Sequence, residues 1–288
     1  MTAIALLHPA VSSNTVDRFR ETAVEIRIQK NLAETANCSA VLIFGGDGTV
    51  HRYLPELHKL KLPVLVVPSG SGNDFSKAMG LRNEEIALQA WRHFCAGRGN
   101  VREIDLGAIQ PCNQAIQAEV FFCCVAGIGM DAEANARANR LPAWLKGRGG
   151  YALAALRSLL ACRAGEMSAT SEKKEIHRPA FFVAVGNVHR YGGGMKVTPR
   201  ATPDDGLLDV CFVSQMNKLK LLCWVPTIFF GGHLRLRQVE YFQAPQVRIE
   251  AGRPLDVYAD GEYICMTPVN IRLISKALRV ILPAPISL

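Results

Sequence analysis

Aromatic residues make up only 7% of the 288-residue sequence, and no basic run is interleaved with aromatics, so nothing in it demands a nucleic-acid partner. A membrane-spanning run is missing too. The longest apolar stretch, Leu219 to Gly232, is interrupted by Lys220 and Pro226, whereas a spanning helix needs about 20 mostly apolar residues. The cysteines at 38, 95, 112, 123, 124, 162, 211, 223 and 265 show neither CxxC nor Cys/His metal spacing and sit mostly in apolar runs. That usage points to a reduced, cytoplasmic protein. Met1 to Pro9 has no basic lead-in and no small-residue cleavage site, and reads as a first strand, not a signal peptide. Solenoid-period repeats and low-complexity tracts are absent.

What is present suits a folded protein with a sizeable core: 49% hydrophobic residues, 20% charged residues and a length that fits two modest domains. Thirty-three Lys plus Arg against 25 Asp plus Glu give a net charge of +8. The excess suits phosphates or an acidic membrane surface, although a basic, solvated surface explains it equally well.

Up to about residue 105, strand-type runs alternate with helical patterns, which predicts an open α/β, mostly parallel sheet. The expected strands are Ile4–Leu7, Ala40–Phe44 and Val64–Val67, and the expected helices Val16–Ala36, Val50–Leu60 and Glu84–Cys95. Beyond Gly107, short strand candidates follow one another: Val120–Val125, Phe181–Val185, Leu207–Val213, Val239–Phe242, Gln246–Glu250, Leu255–Tyr258, Tyr263–Met266 and Val269–Leu273. They predict a C-terminal antiparallel β-sandwich with helical insertions at Ala143–Arg163 and Lys218–Phe230. The expected domains are residues 1–105 and 106–276, with a C-terminal strand in 277–288 that sequence alone assigns to neither.

Two Gly-rich turns carry the chemistry. Gly45-Gly46-Asp47-Gly48-Thr49 follows an apolar strand and opens a helical pattern. Its glycines let backbone approach a ligand, and the helix start offers N–H groups to an anion. Pro68-Ser69-Gly70-Ser71-Gly72-Asn73-Asp74-Phe75 follows the next strand in the same way, with Asp74 opening another helix. Loops after neighbouring parallel strands lie together at the carboxyl end of a sheet, which implies a nucleotide site. Neither is a P-loop or a GxGxxG turn. In the second half, Asp131, Asp204-Asp205-Gly206 and Asp260-Gly261-Glu262 place carboxylates at strand ends. Singly, such Asp-Gly pairs are ordinary hairpin signals.

Read in order, GGDGT (45–49), PSGSGNDF (68–75), GIGMDA (127–132), KGRGGYALAAL (146–156), GNxxxYGGGMKVTP (186–199), TPDDGLLDV (202–210) and DGE (260–262) resemble the diacylglycerol kinase catalytic-domain family. That family includes sphingosine and ceramide kinases and is related to NAD kinases and phosphofructokinases. The resemblance runs from about residue 38 to the end. It implies an ATP- and Mg²⁺-dependent lipid kinase acting in a cleft between an α/β domain and a β-sandwich. On this sequence it implies nucleotide binding by Gly45, Gly46, Asp47, Gly48, Thr49, Gly70, Ser71, Gly72 and Asn73, and substrate binding by Asp74. It further implies catalytic roles for Glu262, as proton acceptor, and Asp47, and a structural Mg²⁺ site at Asp205 with the carbonyls of Thr202 and Leu207. For Asp47 a purely turn-stabilising role stays open.

The chain departs from the family pattern at His8-Pro9-Ala10-Val11-Ser12-Ser13, where an NPxSG strand end is usual, and at His51-Arg52, where Asn-Glu is usual. A catalytically weak nucleotide- or lipid-binding relative therefore remains an alternative, and a soluble NAD kinase a more distant one. A kinase of this type would be cytoplasmic and would meet its lipid as a peripheral protein at the inner face of the membrane. Lys218–Leu236, with apolar residues bordered by Lys218, Lys220, His233, Arg235 and Arg237, has the composition of an interfacial element. It equally has that of a core helix.

Overall fold

Runs such as Ala40–Phe44, apolar on five consecutive residues and closed by glycines, suit short strands covered on both faces. In the computed structural model, which describes residues 1–20, 24–32, 35, 37–112, 119–129 and 163–283, Ala40, Val41, Leu42, Ile43 and Phe44 are fully buried. The chain divides into two compact units, Met1–Ile104 with Lys276–Leu288, and Asp105–Ser275.

The first unit is a parallel α/β sheet. It contains β1 (Thr2–Leu7), α1 (Ser13–Arg20), β2 (Glu25–Gln29), β3 (Cys38–Gly45), α2 (Asp47–Leu60), β4 (Pro63–Pro68), α3 (Asp74–Ala78) and α4 (Glu84–Cys95). Strand β4 pairs with β3, β3 with β1, and β1 with β2, all in parallel. Helix α4 forms as its pattern predicts. The Asn83 side chain caps it by accepting the Ile86 N–H at 2.9 Å, a contact worth about 1 kcal/mol. Its inner face buries Ala87, Leu88, Ala90 and Trp91, and the Trp91 indole donates to the Phe19 carbonyl at 3.2 Å.

The expected helix Val16–Ala36 is corrected. The helix is described over Ser13–Arg20, and Glu25–Gln29 is an edge strand beside β1, from Thr2↔Glu25 to Leu6↔Gln29. In Glu-Ile-Arg-Ile-Gln, Ile26 is buried while Glu25, Arg27 and Ile28 are exposed. A strand that pairs with β1 alone leaves most of its side chains to solvent. The expected C-terminal strand is the end of β15 (Val269–Ile281), and it lies in the first unit, pairing in parallel with β4 through Arg279↔Pro63 and Val280↔Val64.

The second unit is an antiparallel β-sandwich. Its strands are β5 (Val101–Pro111, from Asp105 on), β6 (Val120–Phe122), β7 (Val125–Gly129), β8 (Gly165–Thr170), β9 (Glu175–Gly186), β10 (Leu208–Ser214), β11 (Val239–Ala244), β12 (Gln246–Ala251), β13 (Asp256–Ala259), β14 (Glu262–Met266) and the first part of β15. Strand β9 serves two neighbourhoods: Glu175–Ala180 pairs with β8, whereas Phe182–Gly186 lies between β7 and β10. Ile109, Phe122, Val183, Val185, Phe212, Ile249 and Ile271 are among the side chains that fill the core.

Two expectations are refined here. Val120–Val125 is not one strand, because it breaks at Cys123-Cys124. Lys218–Phe230 is helix α5 (Lys218–Trp224) followed by a 3₁₀ segment, Val225–Phe230, since Pro226 has no N–H to continue an α-helix. Met130 and Asp131, and the expected helix Ala143–Arg163 apart from Arg163, lie outside the described residues. Among the described residues no helix is long and apolar enough to cross a membrane, and no described cysteine forms a disulfide.

His233, fully buried, places Nε2 2.9 Å from the Val197 carbonyl and its ring edge-on to Trp224 at 5.5 Å. Burial holds the imidazole below its ordinary pKa. As pH falls below about 6.5, the unfolded chain binds a proton that the folded chain refuses, so stability present above that pH is lost below it. We expect the thermal midpoint to drop between pH 7 and pH 5, and a His233→Gln variant to drop less steeply over the same range.

Candidate functional site

In the first unit, register places the two Gly-rich loops side by side. Gly45 and Pro68 are partners at the carboxyl ends of β3 and β4, and the Ser69 N–H donates to the Gly45 carbonyl at 3.1 Å. The next residues touch backbone to backbone. A Cβ on Gly70 would lie 2.6 Å from the Gly46 Cα, and one on Gly46 would lie 3.1 Å from the Gly70 Cα. Neither residue has a left-handed φ, so glycine is required here by closeness and not by dihedral freedom. The residue that does adopt the left-handed region is Asn73, at φ 56°. Its side chain closes the second loop, donating to the Gly70 carbonyl at 2.6 Å and accepting the Gly70 N–H at 2.9 Å.

Asp47 joins the two loops. Its carboxylate oxygens accept the Asp74 and Phe75 N–H groups at 3.0 Å each, which caps α3 from the first residue of α2. Asp74 itself is buried. Helix α2 begins differently: its N-cap is Gly46, with no side-chain cap, and the Thr49 N–H donates to the Gly46 carbonyl at 3.0 Å, so the start of a 14-residue helix can offer the Gly48 N–H and its dipole to an anion. Gly48 and Ser71 are exposed, Thr49 and Gly72 half-buried, and the Lys77 ammonium donates to the Gly72 carbonyl at 2.5 Å. The structure thus gathers Gly45, Gly46, Asp47, Gly48, Thr49, Gly70, Ser71, Gly72, Asn73 and Asp74 into one loop pair.

In the second unit, the segment holding Thr202, Asp205 and Leu207 is tied to Asp105, a residue that sequence reasoning missed. The Gly206 N–H donates to Asp105 Oδ2 at 2.9 Å, and the Asp105 N–H donates to the Pro203 carbonyl at 2.6 Å. Asp205 is exposed. Its Oδ1 accepts the Leu207 N–H at 3.0 Å, and Gln243 Nε2 reaches both Asp205, at 3.3 Å, and Asp209, at 3.2 Å. Asp209 is buried inside β10, which raises its pKa, and it accepts the Tyr241 hydroxyl at 2.6 Å. A carboxylate and backbone carbonyls form a hard, all-oxygen donor set of the kind Mg²⁺ takes together with water. The residues present fit that ion.

The Asp-Gly-Glu segment is a two-residue hairpin turn, with Asp260 at φ 52° and Gly261 at φ 91° between the paired Ala259 and Glu262. Glu262 is exposed. Asp260 is buried, and its carboxylate accepts the N–H groups of Cys123, Cys124 and Val125 at 2.8, 2.8 and 3.3 Å. Those bonds explain why the expected strand breaks at Cys123. Asn187, from the GN of the fifth motif, donates to the carbonyls of Asp105 at 2.9 Å and Cys123 at 3.2 Å. A chain of buried polar groups therefore runs from the Asp205 loop through Asp105 and Asn187 to the Asp260 turn. Among the described residues, Cys123, Cys124 and Asp260 alone bring three candidate ligand atoms within 4.8 Å of one another. The three amides on Asp260 mark the cluster as a turn clamp. The sequence signal for Asp105 was a lone carboxylate inside an apolar strand run, whereas Asp209 stood within the TPDDGLLDV motif.

Residues 3–109 match the model of the diacylglycerol kinase catalytic domain, and residues 124–282 that of the YegS C-terminal NAD kinase beta sandwich-like domain. A diacylglycerol kinase of Mycobacterium tuberculosis H37Rv is 34% identical over 251 residues, covering 85% of this chain and 77% of the relative. The diacylglycerol kinase of Bacillus subtilis is 25% identical over 248 residues, covering 84% and 77%. A solved diacylglycerol kinase structure from Bacillus anthracis Sterne superposes with a TM-score of 0.71 at 18% identity, covering 98% of this chain and 97% of that one.

Substituting Asp260→Asn turns an amide NH₂ toward backbone N–H donors. We expect it to lower unfolding free energy by about 2–3 kcal/mol in a denaturant titration. Glu262→Gln, at an exposed position, should change it by less than about 0.5 kcal/mol.

Proposed function

The chain belongs to the diacylglycerol kinase catalytic-domain family, and from that premise we propose that it transfers the γ-phosphoryl group of ATP to the hydroxyl of diacylglycerol or a related lipid. The observation that carries this reading is the backbone contact of Gly46 with Gly70. It fuses two strand-end loops into one amide-rich surface beside the uncapped start of α2, and such a surface suits a polyphosphate.

Each residue then has a task. The amides of Gly46, Gly48 and Gly72 and the hydroxyls of Thr49 and Ser71 hold and orient the phosphates, while the Gly70 N–H stays on Asn73. Asp47 keeps the loops in register by capping α3, and Asn73 closes the second loop. Glu262, exposed on the hairpin, accepts the proton of the lipid hydroxyl as the new oxygen–phosphorus bond forms and ADP leaves. Asp205 and the carbonyls of Thr202 and Leu207 would hold Mg²⁺, which contributes positive charge and rigidity to that loop. Phosphoryl transfer depends mainly on positioning and charge neutralisation, so few side chains suffice. The lipid is met at a membrane surface.

The test is transfer of label from γ-labelled ATP to diacylglycerol in mixed micelles. Glu262→Gln should reduce kcat by about 10²–10⁴-fold. Gly70→Ala, which forces the loops apart, should raise the KM for ATP at least about tenfold, the equivalent of about 1.4 kcal/mol. Normal ATP binding with no transfer to any lipid hydroxyl would overturn the proposal in favour of a binding protein, and transfer to NAD in favour of an NAD kinase.

A further inference from the structure

Four large apolar side chains stand exposed on one short stretch of the second unit: Leu219 and Leu222 on α5, at 72% and 38%, and Phe229 and Phe230 on the 3₁₀ segment, at 42% and 85%. The stretch is not loosely attached. Leu221, Trp224 and Ile228 are buried, the Thr227 hydroxyl donates to the Trp224 carbonyl at 2.8 Å, and the Lys196 N–H donates to the Ile228 carbonyl at 3.0 Å. One face therefore belongs to the core and fixes the other face outward. Neither sequence expectation, interfacial element or core helix, is complete by itself.

Charge decides what this outward face fits. Residues 210–239 contain no Asp or Glu, whereas Lys218, Lys220, Arg235 and Arg237 flank the apolar side chains. Apolar tips on a segment that carries cations at both ends and no carboxylate along its length match an interface with anionic headgroups above an apolar layer. Size argues against a second copy of the chain. The four side chains expose on the order of 400 Å², about half of the roughly 800 Å² per partner that a stable protein interface buries.

We infer that Leu219, Leu222, Phe229 and Phe230 insert into the headgroup boundary of an anionic bilayer, with Lys218, Lys220, Arg235 and Arg237 on its phosphates. The inference rests on the lipid-kinase reading only for choosing a bilayer as the anionic surface.

Flotation of the full chain with extruded vesicles, without nucleotide, tests it. Partition onto phosphatidylcholine vesicles containing 30% phosphatidylglycerol, on the order of an inner-leaflet anionic charge, should exceed partition onto phosphatidylcholine alone at least about tenfold. Leu219→Ser with Phe230→Ser should lower it at least about tenfold, about 1.4 kcal/mol, with an unchanged circular dichroism spectrum. Lys218→Glu with Arg237→Glu, which leaves the apolar residues intact, should abolish the preference for phosphatidylglycerol. Absent binding, equal binding by the variants, or a dimer in sedimentation equilibrium that the same serines split would overturn it. A chain that floats as described yet phosphorylates nothing sinks the kinase reading alone. One that phosphorylates lipid in detergent micelles but ignores vesicles sinks the docking face alone.

Discussion

Carboxylates that accept backbone N–H groups hold every loop to which a function is assigned. Asp47 takes two amides at the start of α3, Asp260 takes three at Cys123–Val125, and Asp105 takes the Gly206 N–H. Charge-assisted bonds of this kind are roughly twice as strong as neutral ones. A loop after a strand has few apolar contacts of its own, so such clamps give Gly-rich backbone one conformation in place of many. The loops can then be small, glycine-rich and close to a ligand without being disordered.

The same clamps change how the aspartates are weighed. An acidic residue in a motif invites a role on metal or substrate, and Asp47 carries that expectation from the family resemblance. Its two oxygens already face helix amides at 3.0 Å. A residue so engaged acts most directly by fixing Gly46 against Gly70. Glu262, by contrast, is exposed at the head of β14, as the proposed proton acceptor would have to be.

Much of the fold was legible because burial on two faces and burial on one leave different sequence patterns. Ala40–Phe44 and Val64–Val67 read as parallel strands without ambiguity, and Glu84–Cys95 read as a helix to the residue. The error at Val16–Ala36 arose where a five-residue edge strand follows a helix too closely for either period to dominate. Strand breaks at Cys123 and the two neighbourhoods of β9 were hidden for another reason. They are set by partners far along the chain, Asp260 for the first and β8, β7 and β10 for the second, and no local window contains them. The loop residues were visible from glycine spacing, whereas Asp105 was not, since a single polar residue in an apolar strand carries no spacing to read; Asn187 and Asp209 stood within motifs, but their partners lie far along the chain.

Glycine is required for different physical reasons at different turns, and the reason determines which substitutions each turn tolerates. At Gly206 and Gly261 a positive φ and open space around the missing Cβ mean that the backbone turn itself selects glycine. At Gly46 and Gly70 the selection comes from a neighbouring backbone, so asparagine, which tolerates left-handed φ, offers no substitute. Asn73 occupies the left-handed position three residues later and returns two hydrogen bonds to Gly70. Loop closure and loop contact are thus separate requirements met by different residues. A substitution can relax one while preserving the other, because the contact between Gly46 and Gly70 is backbone against backbone and the closure is made by the Asn73 side chain.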